Sequence, residues 1–526
     1  MNLVHDGDYT QVVDESVPID SVPEWFCGVS LNFAENLLYS GPSSATDDNR
    51  STTGKEDSKI AISEVTEAGS ATVHISWARL RTEVVQIANA MKANNVRRGD
   101  RVAVVSGNTY NTLKVFLGVT ALGGIFSSSS PDMGTKAQLD RLVQIKPTLV
   151  FCDDAAQYNG KSIDLRKNIA DVVDGLAAIQ KFDRVVVMPR FADAPADVTH
   201  IPKSTKLVDF LGAIPDAKAV AAFKYERVPF KAPFLIVYSS GTTGNPKCIV
   251  HSVGGVLLAS AIHNILQIDQ KSTDTVLQFT TTGWIMYLLQ VVHMIHGARL
   301  VLYDGSPFYP DMTSYLHLMS REKVTMLGTS PKWLGEMRTR GICPRDVVDL
   351  SSLRVVGSTG SVLPDPLFRW VYQKGFPPTV HLANVSGGTD IAGAFACANP
   401  LDPVCVGGMQ GAPLGVSVSV FEEREGEGLD GQPAPPGTPG EMVVIKAFPN
   451  MPTSFWGAEG RIKYFKSYFQ KFNHVWTQGD NVVTHPGTTR LNFIGRSDGV
   501  LNPAGIRFGA TEIYSVLEQG FPVIAE

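Results

Sequence analysis

Apolar residues along this chain recur in two rhythms, and the alternation between them sets the expected fold class. Leu80, Val84, Ile87 and Met91 fall three or four apart, the spacing of one helix face. Arg101 to Val105 then gives a short strand pattern, and Leu113, Phe116, Leu117 and Leu122 return to helical spacing. Leu149-Val150-Phe151 and Val185-Val186-Val187 predict further strands, and Phe234-Leu235-Ile236-Val237 a buried one. Helices alternating with short apolar strands predict parallel α/β layers. No repeat of roughly 20 to 50 residues is present, which excludes a solenoid.

Two stretches break the pattern. Residues 41–58 are polar and predict a surface insertion. Residues 425–440 are rich in glycine and proline and lie between the strand-like Val416–Phe421 and Met442–Ile445, which predicts a hairpin connection in a β-rich part. After Gly495-Arg496-Ser497-Asp498 the pattern changes to strand, turn and helix in quick succession. That puts a boundary between a main domain, 1–497, and a short remainder, 498–526.

At 526 residues the chain is too long for one ordinary domain and has ample sequence for a core. Its 44% hydrophobic and 18% charged residues are ordinary for a globular enzyme. Lys and Arg number 46 and Asp and Glu 51, a net −5, which leaves no footprint for nucleic acid or an anionic membrane. The six cysteines form no CxxC pair, so neither a zinc site nor a disulfide framework is expected. The polar, acidic N-terminus is unlike a leader peptide, and the apolar stretch Tyr287–Tyr303 is interrupted by His293, His296 and Arg299. A cytoplasmic protein without a membrane span is the expectation.

The chemistry concentrates in Tyr238 to Lys247, YSSGTTGNPK, which follows directly on the strand 234–237. Glycines let the backbone approach a ligand, hydroxyls and N–H groups surround an anion, and Lys247 adds a mobile charge. A polyphosphate suits that arrangement. It is not a Walker A loop, because Pro246 precedes Lys247 and no Ser or Thr follows it.

This loop resembles the phosphate-binding signature of the adenylate-forming superfamily, which includes acyl-CoA synthetases, adenylation domains and luciferases. Further stretches in the same order extend the resemblance over nearly the whole chain: Pro23–Leu38, Gly357-Ser358-Thr359-Gly360-Ser361, Asn384 to Asp390, Trp476 to Asp480, and Gly495 to Asp498. The wording VSGGTDI and TTTGWIMY resembles the acetoacetyl-CoA synthetases within that superfamily. The fold so implied is a large α/β domain of two sheet lobes and a β-barrel-like lobe, followed by a small C-terminal lid. Only 499–526 follow the hinge, so a lid lacking most of its length is expected, with impaired activity.

The resemblance also implies roles. Ser239, Ser240, Gly241, Thr242, Thr243, Gly244 and Lys247 would hold the ATP phosphates, with Gly360, Ser361, Asn384, Gly388 and Thr389 against the nucleotide. Asp480 would take the ribose hydroxyls and Arg496 the ribose or phosphate. Thr242 and Asp390 would hold magnesium, Asp390 standing where the family usually has Glu. Thr242, Lys247, Thr389 and Asp390 form the expected catalytic set. Trp284, Ile285, Thr359 and Gly387 would wall the acid pocket, Asp498 would be the hinge, and Arg507 would serve the coenzyme A step. Acetyl-CoA synthetases carry a tryptophan two residues before the threonine; Gly387 stands there and predicts room for an acid larger than acetate. The implied reaction is activation of a short acid, acetoacetate first, by ATP to an acyl-adenylate and then to the coenzyme A thioester. A ligase loading a carrier protein, a separately supplied lid and a nucleotide-binding pseudoenzyme stay open as alternatives.

Overall fold

A computed structural model describes residues 2–41, 50–69, 71–239 and 245–497. Two large sheets carry the α/β pattern. The first has eight strands in the order 204–206, 184–188, 149–153, 101–105, 125–129, 233–239, 247–252 and 454–455. The second has seven, in the order 381–384, 355–358, 326–329, 275–278, 299–304, 60–66 and 72–76. Neighbouring strands within each are parallel except toward one edge, where 247–252 pairs antiparallel with both 233–239 and 454–455, and 60–66 with 72–76. Parallel sheets need cover on both faces, which explains why runs such as Val102–Val105 and Leu149–Asp153 are buried throughout.

Local signals account for the helices. Ser76 caps Trp77–Ala93 by accepting from Arg79 N–H, and Leu80, Val84, Ile87 and Met91 are its buried face. Thr109 caps Tyr110–Ala121 in the same way. These two helices approach closely at Gly118, where a Cβ would lie 2.7 Å from Cγ2 of Ile87. Leu122, expected inside the second helix, is its C-cap. The strands Val355–Ser358 and His381–Asn384 begin level with each other, because pairing rather than apolarity sets their start.

The β-rich part is a four-stranded antiparallel sheet, 418–421, 440–444, 476–484 and 491–496. Among the described residues its outer strands do not pair with each other, so it is an open sheet and not the barrel-like lobe expected. Residues 425–440 connect its first two strands, as the hairpin pattern predicts. The described part of the segment 41–58 lies mostly at the surface, as expected, with Lys55 an exception. Lys55 is fully buried, and its ammonium donates to the carbonyls of Asn36 and Tyr39 at 2.9 and 2.6 Å. It thereby satisfies carbonyls at the end of the helix Phe33–Leu38. No helix among the described residues is long and apolar enough to cross a membrane.

Candidate active site

The strands Met326–Thr329, Val355–Ser358 and His381–Asn384 run parallel and end level, Thr329 opposite Ser358 and Ser358 opposite Asn384. Ligands of open α/β sheets bind beyond such carboxyl ends. The loops leaving these strands carry Thr359-Gly360-Ser361 and Val385 to Thr389, so two stretches distant in sequence become neighbours. A tie between the sheets fixes a third stretch. The Thr282 hydroxyl donates to the carbonyl of Ser106 at 2.6 Å, and Ser128 Oγ donates to the Thr282 carbonyl at 2.6 Å. This anchors Gly283-Trp284-Ile285 at the ends of the eight-stranded sheet.

These stretches border one cavity of about 1140 Å³. Its wall includes Tyr238, Ser239 and Pro246 from the phosphate-loop region, Trp284 and Ile285, Thr359, Gly360 and Ser361, Asn384, Gly387, Gly388 and Thr389, and finally Asp480 and Arg496. Asp480 and Arg496 are cross-strand partners in the four-stranded sheet, and their side chains form an ion pair that is almost wholly buried. Ser240, Gly241, Thr242, Thr243 and Gly244 lie outside the described residues, as do Asp498 and Arg507.

Lys247 and Asp390 are not among the lining residues. Lys247 pairs with Ser239 at the start of the returning strand, and its ammonium lies 5.8 and 5.5 Å from the ring centres of Phe455 and Tyr468. Asp390 is buried and accepts the Tyr468 hydroxyl at 2.5 Å. Tyr468 in turn stacks on Trp476, ring centres 3.8 Å apart and planes 11° from parallel. Lys247 and Asp390 thus share one neighbour, Tyr468, behind the wall that Thr389 forms.

Gly387 corrects the reasoning from its missing side chain. It borders the cavity, yet a Cβ there would lie 2.0 Å from the Gly393 carbonyl oxygen and 2.7 Å from Ala394 Cα. The absent side chain therefore faces the paired strand Gly393–Ala396, and glycine is required for the hairpin to close rather than to open the pocket.

Sequence reading passed over several residues that hold the site. His251, four residues beyond Lys247, donates from Nε2 to the Thr389 carbonyl at 2.9 Å. Burial holds its pKa down to about 4, so the ring is neutral. Nothing but its place in an apolar strand distinguishes it. Tyr468 is one of several aromatics in a helix and gives no signal of its own. Among the described residues no three His, Cys, Asp or Glu side chains converge as a metal cage. Magnesium typically takes only one or two protein carboxylates and fills its remaining positions with phosphate and water.

A fold of two strand-end sheets around a cleft so lined is matched by the family model for AMP-binding enzymes over residues 50–451, and the chain belongs to that family. Relatives narrow the class. The acetoacetyl-CoA synthetase of Xenopus tropicalis is 38% identical over 517 residues, covering 98% of this chain and 73% of its own length. The malonamoyl-CoA synthetase of Penicillium aethiopicum is 35% identical over 537 residues, covering 99% and 70%. The solved structure of acetoacetyl-CoA synthetase from Streptomyces lividans superposes with a TM-score of 0.84 at 31% identity, covering 98% of this chain and 74% of that one.

Proposed function

We propose that this chain is an ATP-dependent acid–thiol ligase that activates acetoacetate. The carboxylate oxygen attacks the α-phosphorus of ATP and pyrophosphate leaves. The thiol sulfur of coenzyme A then attacks the acyl carbon and AMP leaves. The observation that carries this reading is the convergence on one cavity of four stretches coded far apart: Ser239 and Pro246, Thr359 to Ser361, Asn384 to Thr389, and Asp480 with Arg496. The relatives named acetoacetyl-CoA synthetase support the choice of acid. A site of backbone amides, hydroxyls and fixed charges suits a reaction whose demands are positioning and charge neutralisation rather than a protein nucleophile.

In this reading Asp480 accepts from the ribose hydroxyls, with Arg496 beside it, and Thr389 and Asn384 contact the phosphate and base side. Lys247 and the hydroxyls of 239–243 neutralise the phosphates. Magnesium, when bound, spreads the phosphate charge. Asp390 is the carboxylate that would hold it, together with Thr242. A carboxylate has about four lone-pair positions, so the Tyr468 hydroxyl and a cation can share it. Trp284, Ile285 and Thr359 wall the acid. The cytoplasm is the compartment this reading assigns, with hinge and thiol-step roles at Asp498 and Arg507.

The test is acid-dependent exchange of pyrophosphate into ATP with acetoacetate, butyrate and acetate, followed by thioester formation. Lys247→Ala and Asp480→Ala are each expected to lower kcat/KM for ATP about ten- to a hundredfold, the usual cost of a lost hydrogen bond to a charged group. Two variants matching the parent would overturn the site assignment. Exchange that depends on none of the three acids would overturn the function.

A further inference from the structure

The cavity does not stop at Ile285. Its wall continues along the helix Ile285–Val291 and the turn Val292–His296 through Met286, Leu289, Val292 and His293. Ile285, Leu289 and His293 are four residues apart in succession, one face of the helix. From Ile285 to His293 that face runs about 12 Å at a rise of ~1.5 Å per residue. Facing it is the helix Val253–Ile262 with its π-helical extension His263–Gln267, which contributes Ser260 and His263 to the same cavity. The strand Gly393–Ala396 of the Gly387 hairpin packs against this helix, and Gln267 Nε2 donates to the Ala398 carbonyl at 2.9 Å. The result is an apolar arm with a polar end, far longer than a four-carbon acid needs.

The polar end has a defined hydrogen-bonding character. Gln270 Nε2 donates to the backbone carbonyl of His293 at 2.7 Å, which turns Gln270 Oε1 toward His293 Nδ1 at 2.7 Å. Nδ1 therefore carries the proton, and Nε2 of the neutral ring is an acceptor. His263 borders the cavity, and Ser260 Oγ beside it is buried without a hydrogen-bond partner among the described residues. Burial keeps His263 near a pKa of about 4 and His293 near about 3, so neither offers a positive charge. No lysine or arginine lines this arm. An acid with a plain methyl end would leave these groups desolvated and unpaired, which costs binding. A second carboxylate would find no cation. A neutral hydroxyl, which can both accept and donate, meets both objections, and a neutral oxo group meets the second while accepting from His263.

Resting on the ligase reading above, we propose that this arm is an acyl channel through which the protein also activates longer acids, up to about eight carbons from ~1.5 Å bonds, whose far end carries an oxo group that accepts from His263 or a hydroxyl that also donates to His293 Nε2. Sites built to hydrogen-bond a substrate group discriminate strongly against the analogue lacking it.

Pyrophosphate exchange with acetoacetate, octanoate and 7-oxooctanoate tests this on the full chain. The parent is expected to use 7-oxooctanoate at least about tenfold better than octanoate in kcat/KM, from the loss of one buried hydrogen bond. His263→Leu should reduce that ratio about ten- to a hundredfold, whereas His263→Gln, which keeps a donor, should retain most of it. Leu289→Trp, which narrows the arm midway, should lower use of 7-oxooctanoate relative to acetoacetate about tenfold or more. Use of acetoacetate with neither eight-carbon acid accepted would overturn the channel and leave the ligase reading standing. So would an oxo-to-plain ratio near one in the parent, which needs no variant to fold. Exchange with no acid at all would overturn both.

Discussion

At Gly387 the hydrogen in place of a side chain faces the strand Gly393–Ala396, not the cavity. Gly387→Ala would set a Cβ against the Gly393 carbonyl at 2.0 Å, too close for any real Cβ, so the hairpin must move. Overpacking of this kind costs about 1–3 kcal/mol. We expect urea unfolding of Gly387→Ala to show that loss, while Gly357→Ala, whose Cβ would meet nothing nearer than Leu327 O at 3.5 Å, loses little. Equal stability of the two variants would refute the Cβ direction. Gly387→Trp is then a folding defect rather than a pocket filler, and no shift of preference toward acetate is expected from it. Single residues were legible in sequence only where they sat in a dense motif. Thr389 and Asp480 stood in such motifs, whereas His251 and His263 acquire meaning from what lies across the chain from them.

At the scale of elements, the helix Gly460–Tyr468 fixes the back of the site. Its Tyr464 and Tyr468 pack on Trp476, and each close aromatic pair contributes about 0.5–1.5 kcal/mol beyond burial. Tyr468→Phe keeps that stack and removes only the hydroxyl that Asp390 accepts. A hydrogen bond to a carboxylate is worth about 1.5–3 kcal/mol, so thermal unfolding should register a loss of that order. A double-mutant cycle with Asp390→Asn should show coupling; strict additivity would mean that the two side chains do not interact. Element existence was legible from periodicity, as for 77–93 and 101–105. Element boundaries were not, because a strand such as His381–Asn384 starts where Val355 offers it a partner.

Across the whole molecule the two large sheets meet at strand ends that bear acids, Asp153 buried and Asp304 partly so. Asp153 ends one strand and accepts the Gly107 amide at 2.8 Å; Asp304 ends another and pairs with Arg190 at 3.0 Å. Burial raises the pKa of Asp153 to about 7 and raises that of Asp304 as well. Burial pushes His251, His263 and His296 down to about 4 and His293 to about 3. The signs oppose. Between pH 4 and 6.5 the unfolded chain binds protons at four histidines that the folded chain refuses, so stability falls as pH falls. The two acids bind protons in the folded state that the unfolded state has released, so their contribution is lost as pH rises toward 7. Four groups outweigh two, at about 1.4 kcal/mol per proton per pH unit. Denaturant midpoints should therefore drop from pH 7 to pH 5, and Asp153→Asn, which removes one opposing group, should steepen the drop. Identical slopes would show that Asp153 titrates as an ordinary carboxylate.

The sequence by itself determined the α/β layering, the phosphate-loop segment after a buried strand and the order of motifs that defines the family. These are local facts, written in spacing and in residue chemistry within a few positions. The tertiary structure decided what those motifs surround. Parallel register sets Ser358 beside Asn384, a hairpin turns the missing side chain of Gly387 away from the cleft, and two helices from separate parts of the chain enclose the arm that ends at His263 and His293. No local pattern encodes such pairings, because each depends on which distant backbone a residue meets once the sheets have formed.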